Sequence, residues 1–278
     1  MQTLGEIKAL LAGRGLRPRH RFGQNFLIEP VHLRTLVDRS GVAAGEVVLE
    51  VGPGTGVLTD LLVEAGTEVI ACEIDRDLAS LVADRFGDRI TLVVGDALPS
   101  KRTLSPPLIE SIGGRPFRIV ANVPYAIASP LLAVLAGMDG FLGGGVTVQR
   151  EVADRLAARP GTRAYGPLSV VVQSRFAVER LAELPPGCFW PPPEVNSAMV
   201  GLRPLETPLV GASELDAFGR FVSEVFGRRR KQLGTILGRG RDLPDGIESD
   251  MRPERLTVAQ WVDLQRWRAA QDPPQAGT

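Results

Sequence analysis

The residues Asn122-Val123-Pro124-Tyr125 follow a short apolar run and combine an amide, a stiff turn and an aromatic ring. The exocyclic amino nitrogen of a nucleobase is a poor nucleophile because its lone pair is delocalised into the ring. The Asn122 side-chain oxygen and a backbone carbonyl in the Val123–Pro124 turn could accept both N–H groups and stabilise the positive charge that develops on nitrogen during alkylation. The Tyr125 ring could stack on the target base. The alternative is an Asn-capped turn without a chemical role.

A glycine-rich turn is the second feature, Glu50-Val51-Gly52-Pro53-Gly54-Thr55-Gly56. It lies between a strand-like run and a helical one, so backbone amides and a helix N-terminus could approach a ligand closely. Dinucleotide-binding folds use a similar turn. Glu50 and Pro53 favour S-adenosylmethionine over NAD. S-adenosylmethionine carries a sulfonium cation, which suits an acidic residue, and it has no pyrophosphate for the loop to bind, so a loop stiffened by proline is acceptable. An ordinary glycine turn is the alternative.

Two acidic residues follow the next two predicted strands. Glu73 comes about twenty residues after the turn, and a carboxylate there can accept hydrogen bonds from both hydroxyls of a ribose. Asp96 can accept a hydrogen bond from the adenine amino group of the cofactor. Each residue alone could be a helix N-cap. Their positions at successive strand ends favour one cofactor site, to which Gly52 and Asn122 also belong.

A proline-stiffened segment supplies further aromatic residues, Cys188-Phe189-Trp190-Pro191-Pro192-Pro193. Its three prolines make the backbone stiff and extended. Either ring could form the wall of the base pocket opposite Tyr125, and we assign Phe189 to the catalytic set with Asn122 and Tyr125. The alternative is a stiff loop whose aromatic side chains belong to the core.

These residues need a scaffold that brings successive strand ends together. In the first half of the chain the patterns predict strands at residues 47–51, 68–72, 90–94 and 117–121, and helices at 58–64 and 75–86. Strands alternating with helices form a parallel sheet with helices on both faces. Such sheets bind ligands beyond the carboxyl ends of their strands. The predicted fold class is therefore α/β.

The remaining patterns are less regular. Residues 99–116, rich in Pro, Ser and Gly, predict a surface insertion between two strands. Residues 149–159 predict a helix, and residues 168–176 and 199–202 predict strands. The pattern changes near residue 208, which divides the chain into a domain at 1–207 and a small α-helical domain at 208–278. That second domain has predicted helical regions at 214–237 and 257–270 and a frayed tail from Asp272.

Composition restricts the class of protein. The 32 Lys and Arg residues balance the 32 Asp and Glu residues, which by itself disfavours a nucleic-acid-binding protein. Basic residues are nevertheless clustered, and each cluster could be a solvated face or an RNA contact; the clusters are Arg14, Arg17, Arg19, His20 and Arg21, and residues 228–231. Two cysteines, no secretory signal and no long apolar run predict a cytoplasmic protein without membrane association. We expect a monomer and no metal site.

From about Gly15 to Leu264 the chain resembles the ribosomal RNA adenine dimethyltransferases, the family of the bacterial small-subunit enzyme. The matching segments are residues 23–28, Gly52, Glu73, Asp96, residues 122–125, 189–197, 229–231 and 252–256. The resemblance implies a Rossmann-like class I S-adenosylmethionine-dependent methyltransferase sheet with a small C-terminal α-helical domain. It also implies that Asn25 and Leu27 contact the cofactor, and that Arg229, Arg230 and Lys231 bind RNA.

The family transfers two methyl groups to each of two adjacent adenines in a hairpin loop near the 3′ end of small-subunit (16S) rRNA. The resemblance implies the same reaction, with small-subunit rRNA in an immature ribosomal subunit as the partner. Val123 replaces the family's Leu or Ile, Glu194 replaces its Lys, and Gly234-Thr235 replace Arg-Asn. The last two changes remove positive charge from the expected RNA face.

Three other functions are compatible with parts of the pattern. A macrolide-resistance methylase would carry out the same chemistry on large-subunit rRNA, but residues 189–197 and 229–231 favour the small-subunit enzyme. A non-catalytic assembly factor could keep the fold, although the intact acidic and catalytic residues disfavour lost activity. A nicotinamide dehydrogenase would need a third glycine at a different spacing and a proton-relay histidine.

Overall fold

The structure is a computed structural model that describes residues 2–100 and 102–271. In these ranges the strands are β1 Phe26–Leu27, β2 Val47–Val51, β3 Glu68–Glu73, β4 Thr91–Val94, β5 Phe117–Asn122, β6 Phe141–Gln149, β7 Phe176–Leu184, β8 Phe189–Trp190 and β9 Ser197–Pro204. The α-helices are α1 Leu4–Gly13, α2 Pro30–Asp38, α3 Val57–Glu64, α4 Arg76–Phe86, α5 Pro106–Ile112, α6 Ala128–Ala136, α7 Arg150–Leu156, α8 Pro167–Gln173, α9 Leu215–Phe226, α10 Leu233–Leu237 and α11 Val258–Gln271. Among the described residues no helix is long and apolar enough to cross a membrane.

Seven strands form one mixed sheet in the order β4-β3-β2-β5-β6-β9-β7. The strands from β4 to β6 are parallel, and β9 pairs antiparallel with β6. All five residues of β2 are buried, as expected for a parallel strand covered on both faces. The chain order reverses between β2 and β5, and ligands bind in α/β sheets at this kind of position. The predicted α/β fold is confirmed.

The segment at 99–116 is more ordered than its composition predicted. It contains α5, whose Leu108 and Ile112 are buried, so the prediction of a plain surface insertion was wrong. Pro106 stands at the start of this helix, where a missing N–H costs nothing. A crossover between the parallel strands β4 and β5 usually contains a helix, which explains why this proline-rich segment includes one.

The prediction of a strand at 168–176 was also wrong. Residues Pro167–Gln173 form α8, and the next strand, β7, begins only at Phe176. Three consecutive valines have a strand propensity, but buried packing overrides it here. Ser169 Oγ donates to the carbonyl of Arg155 at 2.5 Å, and the Gln173 amide donates to the carbonyls of Leu156 and Ala158.

The glycine-rich run after Met138 forms β6, an interior strand of the sheet. Gly144 has a φ of +136°, and a Cβ atom built on it would lie 1.9 Å from the carbonyl oxygen of Ile119 in β5. Only glycine permits this approach of the two backbones. The run was too rich in glycine to be predicted as a strand from its propensities.

The chain forms two compact units, Met1–Ala153 with Val178–Arg203, and Asp154–Ala177 with Pro204–Thr278. The larger segment of the second unit begins at Pro204, close to the boundary predicted at residue 208, but the unit also includes residues 154–177. An aromatic core explains this addition, because the Tyr165 ring packs edge-on against Phe226 and the Tyr165 hydroxyl donates to the carbonyl of Leu256 at 2.8 Å. Phe226 stacks on Trp261 with ring centroids 4.9 Å apart. The predicted tail from Asp272 lies outside the described residues.

Candidate active site

A cavity of about 410 Å³ lies at the carboxyl ends of β2 to β5 in the first unit. Because the chain order reverses between β2 and β5, the loops after these two strands diverge and leave a crevice. The N-terminal segment before β1 forms another wall. The cavity is lined by residues 20–26, by Val51, Gly52, Gly54 and Leu78, and by residues 72–74, 95–97 and 122–127.

The glycine turn packs closely against its neighbours. A Cβ atom on Gly54, which has a φ of +61°, would lie 2.8 Å from the Phe26 ring. The Gly54 N–H donates to Glu73 Oε2 at 3.2 Å, which joins the turn after β2 to the end of β3. Gly52 lines the cavity as predicted. The glycine at position 54 therefore allows Phe26 to cover the turn.

Glu73 ends β3 with its side chain in the cavity and only 4% exposed. Its second oxygen, Oε1, accepts from the N–H of Asp75 at 2.9 Å. Burial raises the pKa of Glu73 to about 6, although the backbone N–H groups of Asp75 and Gly54 oppose that rise. The carboxylate is therefore mainly ionised at neutral pH. Each oxygen keeps a free lone pair for a hydroxyl donor.

Glu50 does not have the role that its acidic character suggested. It is 1% exposed and does not line the cavity, and it accepts from the Thr59 hydroxyl at 2.7 Å. Burial raises the pKa of Glu50 to about 8. A carboxyl group that is mostly protonated at neutral pH offers little charge to a sulfonium cation, so this part of the case for S-adenosylmethionine was wrong.

Asp96 lies in the loop after β4, exposed and within the cavity wall. Its Oδ1 accepts from the N–H of Leu98 at 2.9 Å, so one oxygen stabilises a local turn. The other oxygen has capacity for a ligand N–H. The capping alternative and the ligand role are thus compatible in this residue.

A charged network holds the N-terminal segment against the end of β3. Asp75, which is 3% exposed, accepts from the Arg19 guanidinium and from the Gln24 amide, both at 2.8 Å. Gln24 Oε1 in turn accepts from the N–H of Arg19 at 2.7 Å. Arg19 also donates to Asp77, and this hydrogen bond, followed by the negative charge of Asp75, raises the pKa of Arg19. Buried carboxylates with several donors fix the segment that forms the cavity wall.

Two residues of that segment were predicted to contact the cofactor. Asn25 lines the cavity, whereas Leu27 is 3% exposed and does not. Leu27 lies in β1 opposite Phe189 in β8, and both side chains are buried. The register of this two-stranded pair sends the two side chains to the core side. The Leu27 side chain therefore does not line the cavity.

Asn122 ends β5, lines the cavity and is partly buried. Its Nδ2 donates to the backbone carbonyl of Asn25 at 2.8 Å. Since a carbonyl only accepts, the nitrogen must face Asn25, which leaves Oδ1 as an available acceptor. The N–H of Val123 donates to the carbonyl of Thr147 in β6, and this bond fixes the next peptide.

The backbone after Asn122 provides a second acceptor. The carbonyl of Pro124 accepts from the N–H of Ile127 at 3.1 Å, within the turn that begins at Tyr125. The predicted turn also contains the carbonyl of Val123. Because the carbonyl of Pro124 already accepts a hydrogen bond, we favour the carbonyl of Val123 as the second acceptor beside Asn122 Oδ1.

Tyr125 lines the cavity with its ring partly buried. Its hydroxyl and that of Ser197 are 2.5 Å apart. Burial raises the pKa of Tyr125, and the hydrogen bond to Ser197 opposes this, so the ring is neutral at neutral pH. A neutral aromatic face at the cavity wall suits base stacking.

The structure does not place Phe189 in the cavity wall, contrary to its predicted role. It is 2% exposed and belongs to the hydrophobic core, which is the alternative that the sequence left open. Trp190 points to the other side of β8, where its ring stacks on Phe26 at a centroid distance of 6.2 Å. The Lys8 ammonium lies 5.4 Å from the centre of the Trp190 ring. Trp190 thus supports Phe26, which covers the glycine turn.

The two basic clusters differ in how far they are neutralised. In the first cluster, Arg14 pairs with Asp84 and Arg19 pairs with Asp75, while His20 and Arg21 line the cavity. Two arginines of this cluster therefore have carboxylate partners within the protein.

In the second unit, residues 228–231 are exposed in the turn after α9. Together with Gly227, Thr235 and Ile236 they line a depression of about 410 Å³. Arg229 Nε lies 3.2 Å from Glu254 Oε2. The cluster is accessible to a polyanion, but Arg229 already has a carboxylate partner.

Sequence reasoning missed several residues that the structure places at the site. Gln24 and Asp75 order the N-terminal segment, and Ser197 binds the Tyr125 hydroxyl. Gln24 and Ser197 lie inside the segments that resemble the family, but their partners are distant in sequence. Spacing alone could not identify these contacts.

The fold and the cavity define a class I S-adenosylmethionine-dependent methyltransferase. A dimethyladenosine transferase from Plasmodium falciparum has a similar structure, with a TM-score of 0.73 and 23% identity, covering 88% of this chain and 98% of that one. The 23S rRNA methyltransferase ErmE matches with a TM-score of 0.67 and 23% identity, over 87% of this chain and 98% of that one. Both matches show a shared fold.

The chain belongs to the ribosomal RNA adenine dimethylase family, whose model matches residues 15–270. It is 40% identical over 264 residues to ribosomal RNA small subunit methyltransferase A of Aromatoleum aromaticum, covering 92% of this chain and 96% of the relative. The protein with the same name in Nitrosospira multiformis is 39% identical over 253 residues, covering 89% of this chain and 95% of the relative. The resemblance inferred from the motifs is confirmed.

Proposed function

We propose that the protein transfers methyl groups from S-adenosylmethionine to the N6 amino groups of two adjacent adenines in a hairpin loop near the 3′ end of small-subunit rRNA. The observation that carries this proposal is the fixed amide of Asn122, whose oxygen is left as an acceptor beside Tyr125. The names of the curated relatives support the small subunit as the target. We further propose that the protein acts as a cytoplasmic monomer on immature subunits.

The residues around the cavity fit the cofactor. Glu73, ionised above about pH 6, can accept both ribose hydroxyls, and the free oxygen of Asp96 can accept the adenine amino group. Gly52, Asn25 and Asn122 line the same cavity and would complete the cofactor site. When bound, S-adenosylmethionine supplies an electrophilic methyl group on a sulfonium cation. Leu27 and Phe189 are buried, so they would support the residues that line the cavity and would not touch the cofactor or the base with their side chains.

The chain's own residues activate the target nitrogen by accepting hydrogen bonds. Asn122 Oδ1 and the carbonyl of Val123 would accept the two N–H groups of the adenine amino nitrogen. These acceptors gain strength as the nitrogen becomes positive, so they stabilise the transition state more than the ground state. A general base is not required before attack, because the neutral amino group is not acidic. Tyr125 would hold the base plane by stacking, which is worth about 1–3 kcal/mol.

RNA binding would use the exposed residues Arg229, Arg230 and Lys231 of the second unit. In the first unit, His20 and Arg21 line the cavity and would contact phosphate there. Phosphate contacts by basic side chains position the RNA without reading its sequence. A hairpin loop suits this site because its bases are already partly unstacked, which lowers the cost of turning an adenine outward.

The direct test is primer extension over both ribosomal RNAs after incubating the full chain with S-adenosylmethionine and unmethylated ribosomal subunits. N6-dimethyladenine cannot form a Watson–Crick pair, so reverse transcription stops at each modified base. We expect a new stop in the small-subunit rRNA one nucleotide before the 3′ member of a pair of adjacent adenines, and no new stop in the large-subunit rRNA.

Other patterns would contradict the proposal. New stops confined to the large-subunit rRNA would identify a methylase of the macrolide-resistance type. Binding to immature small subunits without any new stop would identify an assembly factor that has lost its activity. A reaction without the protein provides the background for natural pauses.

A further inference from the structure

The hydroxyl of Tyr125 has a fully buried partner that the proposed chemistry does not use. Ser197 is 0% exposed at the first position of β9, and its Oγ lies 2.5 Å from the Tyr125 oxygen. Burying a hydroxyl without a hydrogen-bond partner destabilises the folded state, so buried hydroxyls bond to other polar groups. The bond links the site loop after β5 to a strand 72 residues away in sequence.

Strand register fixes the position of Ser197 relative to the catalytic motif. Asn122 in β5 is the Cα partner of Thr147 in β6, and Thr147 is the partner of Met199 in β9. Ser197 precedes Met199 by two residues, so its side chain lies on the same face of the sheet as that of Asn122.

The start of β9 is itself held in place. The carbonyl of Asn196 accepts from the N–H of Arg150 at 2.9 Å, and Ser197 is paired with Gln149. Ser197 therefore belongs to the rigid sheet, whereas Tyr125 lies in a short turn.

An aromatic side chain in such a turn can rotate about its two side-chain torsions unless its far end is held. A hydrogen bond at the para oxygen restrains the tilt of the whole ring. The base stacks parallel to the plane of the Tyr125 ring, and methyl transfer requires the target nitrogen to be in line with the methyl carbon and the sulfur. A small change in the tilt of the ring therefore misplaces the reacting nitrogen.

We infer that Ser197 is a positioning residue, whose hydroxyl fixes the Tyr125 ring in the plane on which the target adenine stacks. This inference rests on the proposed function, because it assigns the base to the Tyr125 face. Ser197 itself does not line the cavity, so it would act on the base only through Tyr125.

A double-mutant cycle of Ser197→Ala, Tyr125→Phe and the double variant tests the inference, with kcat and KM measured on unmethylated small ribosomal subunits. Each single change removes one partner of the same bond, so we expect each to lower kcat by about five- to tenfold. The double variant should lose no more than either single variant. Affinity for S-adenosylmethionine, measured separately, should stay within about twofold of wild type.

Ser40→Ala is the matched control, because Ser40 is 3% exposed and its Oγ donates to the carbonyl of Val37 at 2.6 Å, away from the cavity. It should lose stability comparable to that of Ser197→Ala and keep its kcat. Ser197→Thr retains the hydroxyl and should restore most of the kcat. Tyr125→Phe removes the same hydrogen bond without changing β9, so it tests the inference if Ser197→Ala does not fold.

Two results would overturn the inference. One is a kcat for Ser197→Ala equal to that of Ser40→Ala, and the other is a double variant whose loss equals the product of the two single losses. Failure of the proposed function is distinguishable, because the wild-type protein itself would then leave small-subunit adenines unmethylated.

Discussion

The Asn122 amide nitrogen donates to the backbone carbonyl of Asn25 at 2.8 Å, which joins the end of β5 to the N-terminal segment. This bond determines the orientation of the amide, because the nitrogen is its only donor. The acceptor oxygen is thereby oriented before any substrate binds. Acceptors that need no reorganisation during the reaction lower its barrier most effectively.

Asn122→Asp tests the orientation. At pH 8 an aspartate would place a negative oxygen beside the carbonyl of Asn25, so we expect methyl transfer to fall by about tenfold or more. Wild-type activity of this variant at pH 8 would show that the bond to Asn25 does not matter.

Cofactor affinity should depend on pH through Glu73. Its pKa of about 6 means that the carboxylate becomes protonated as the pH falls, and a neutral acid is a weaker acceptor for ribose hydroxyls. We expect the Kd for S-adenosylmethionine, measured by calorimetry, to rise roughly fourfold between pH 7.5 and pH 5.5. Glu73→Gln should bind more weakly and without this dependence.

Glu68→Gln is the control for this experiment, because Glu68 begins the same strand at the end away from the cavity. It should keep the wild-type pH dependence. A Glu73→Gln variant with an unchanged pH dependence would contradict the assignment of Glu73 to the ribose.

Glu50 should make the folded state less stable at alkaline pH. Its folded pKa of about 8 lies above the ordinary value of 4.5, so between these values the folded chain binds more protons than the unfolded chain. The contribution of Glu50 to stability is thus fully present below about pH 4.5 and is lost as the pH rises through 8. Glu50→Gln should therefore unfold at a higher temperature than wild type at pH 8, by several degrees.

At pH 5 the difference between Glu50→Gln and wild type should shrink, which thermal unfolding of the full chain can measure. Glutamine keeps an acceptor for the Thr59 hydroxyl, so the variant removes mainly the ionisation. Equal shifts at both pH values would mean that Glu50 is not the cause of the pH dependence.

Charge reversal of Arg229, Arg230 and Lys231 to glutamate should weaken RNA binding and reduce its salt dependence. Each lost phosphate contact lowers the slope of log K against log salt by about 0.7–0.9. Glu254→Gln is the matched control, because it frees Arg229 from its carboxylate partner and should bind RNA at least as tightly as wild type. Equal salt slopes for the reversed variant and wild type would remove this cluster from the interface.

The parallel part of the fold was predictable because buried parallel strands are continuous apolar runs. Residues 47–51 were predicted as they are found, and the residues at the strand ends, Gly52, Glu73, Asp96 and Asn122, all line one cavity. Sheet topology alone brings such positions together, since the carboxyl ends of parallel strands share one edge.

The positions of Leu27 and Phe189 were not predictable. They oppose each other in a two-residue antiparallel pair, and a shift of one residue would exchange the buried and the cavity sides. The partnership of Tyr125 with Ser197 and that of Gln24 with Asp75 depend on contacts across 72 and 51 residues. The ionisation of Glu50 depends on burial, which residue type does not show.

Methyl transfer by Asn122→Ala under single-turnover conditions tests the central claim most directly. The variant loses both the oriented acceptor and the bond to Asn25, and we expect a rate at least about a hundredfold below wild type on unmethylated small subunits. Its Kd for S-adenosylmethionine should change by less than about tenfold, since Glu73 and Asp96 remain. A wild-type rate of methyl transfer in this variant would contradict the account.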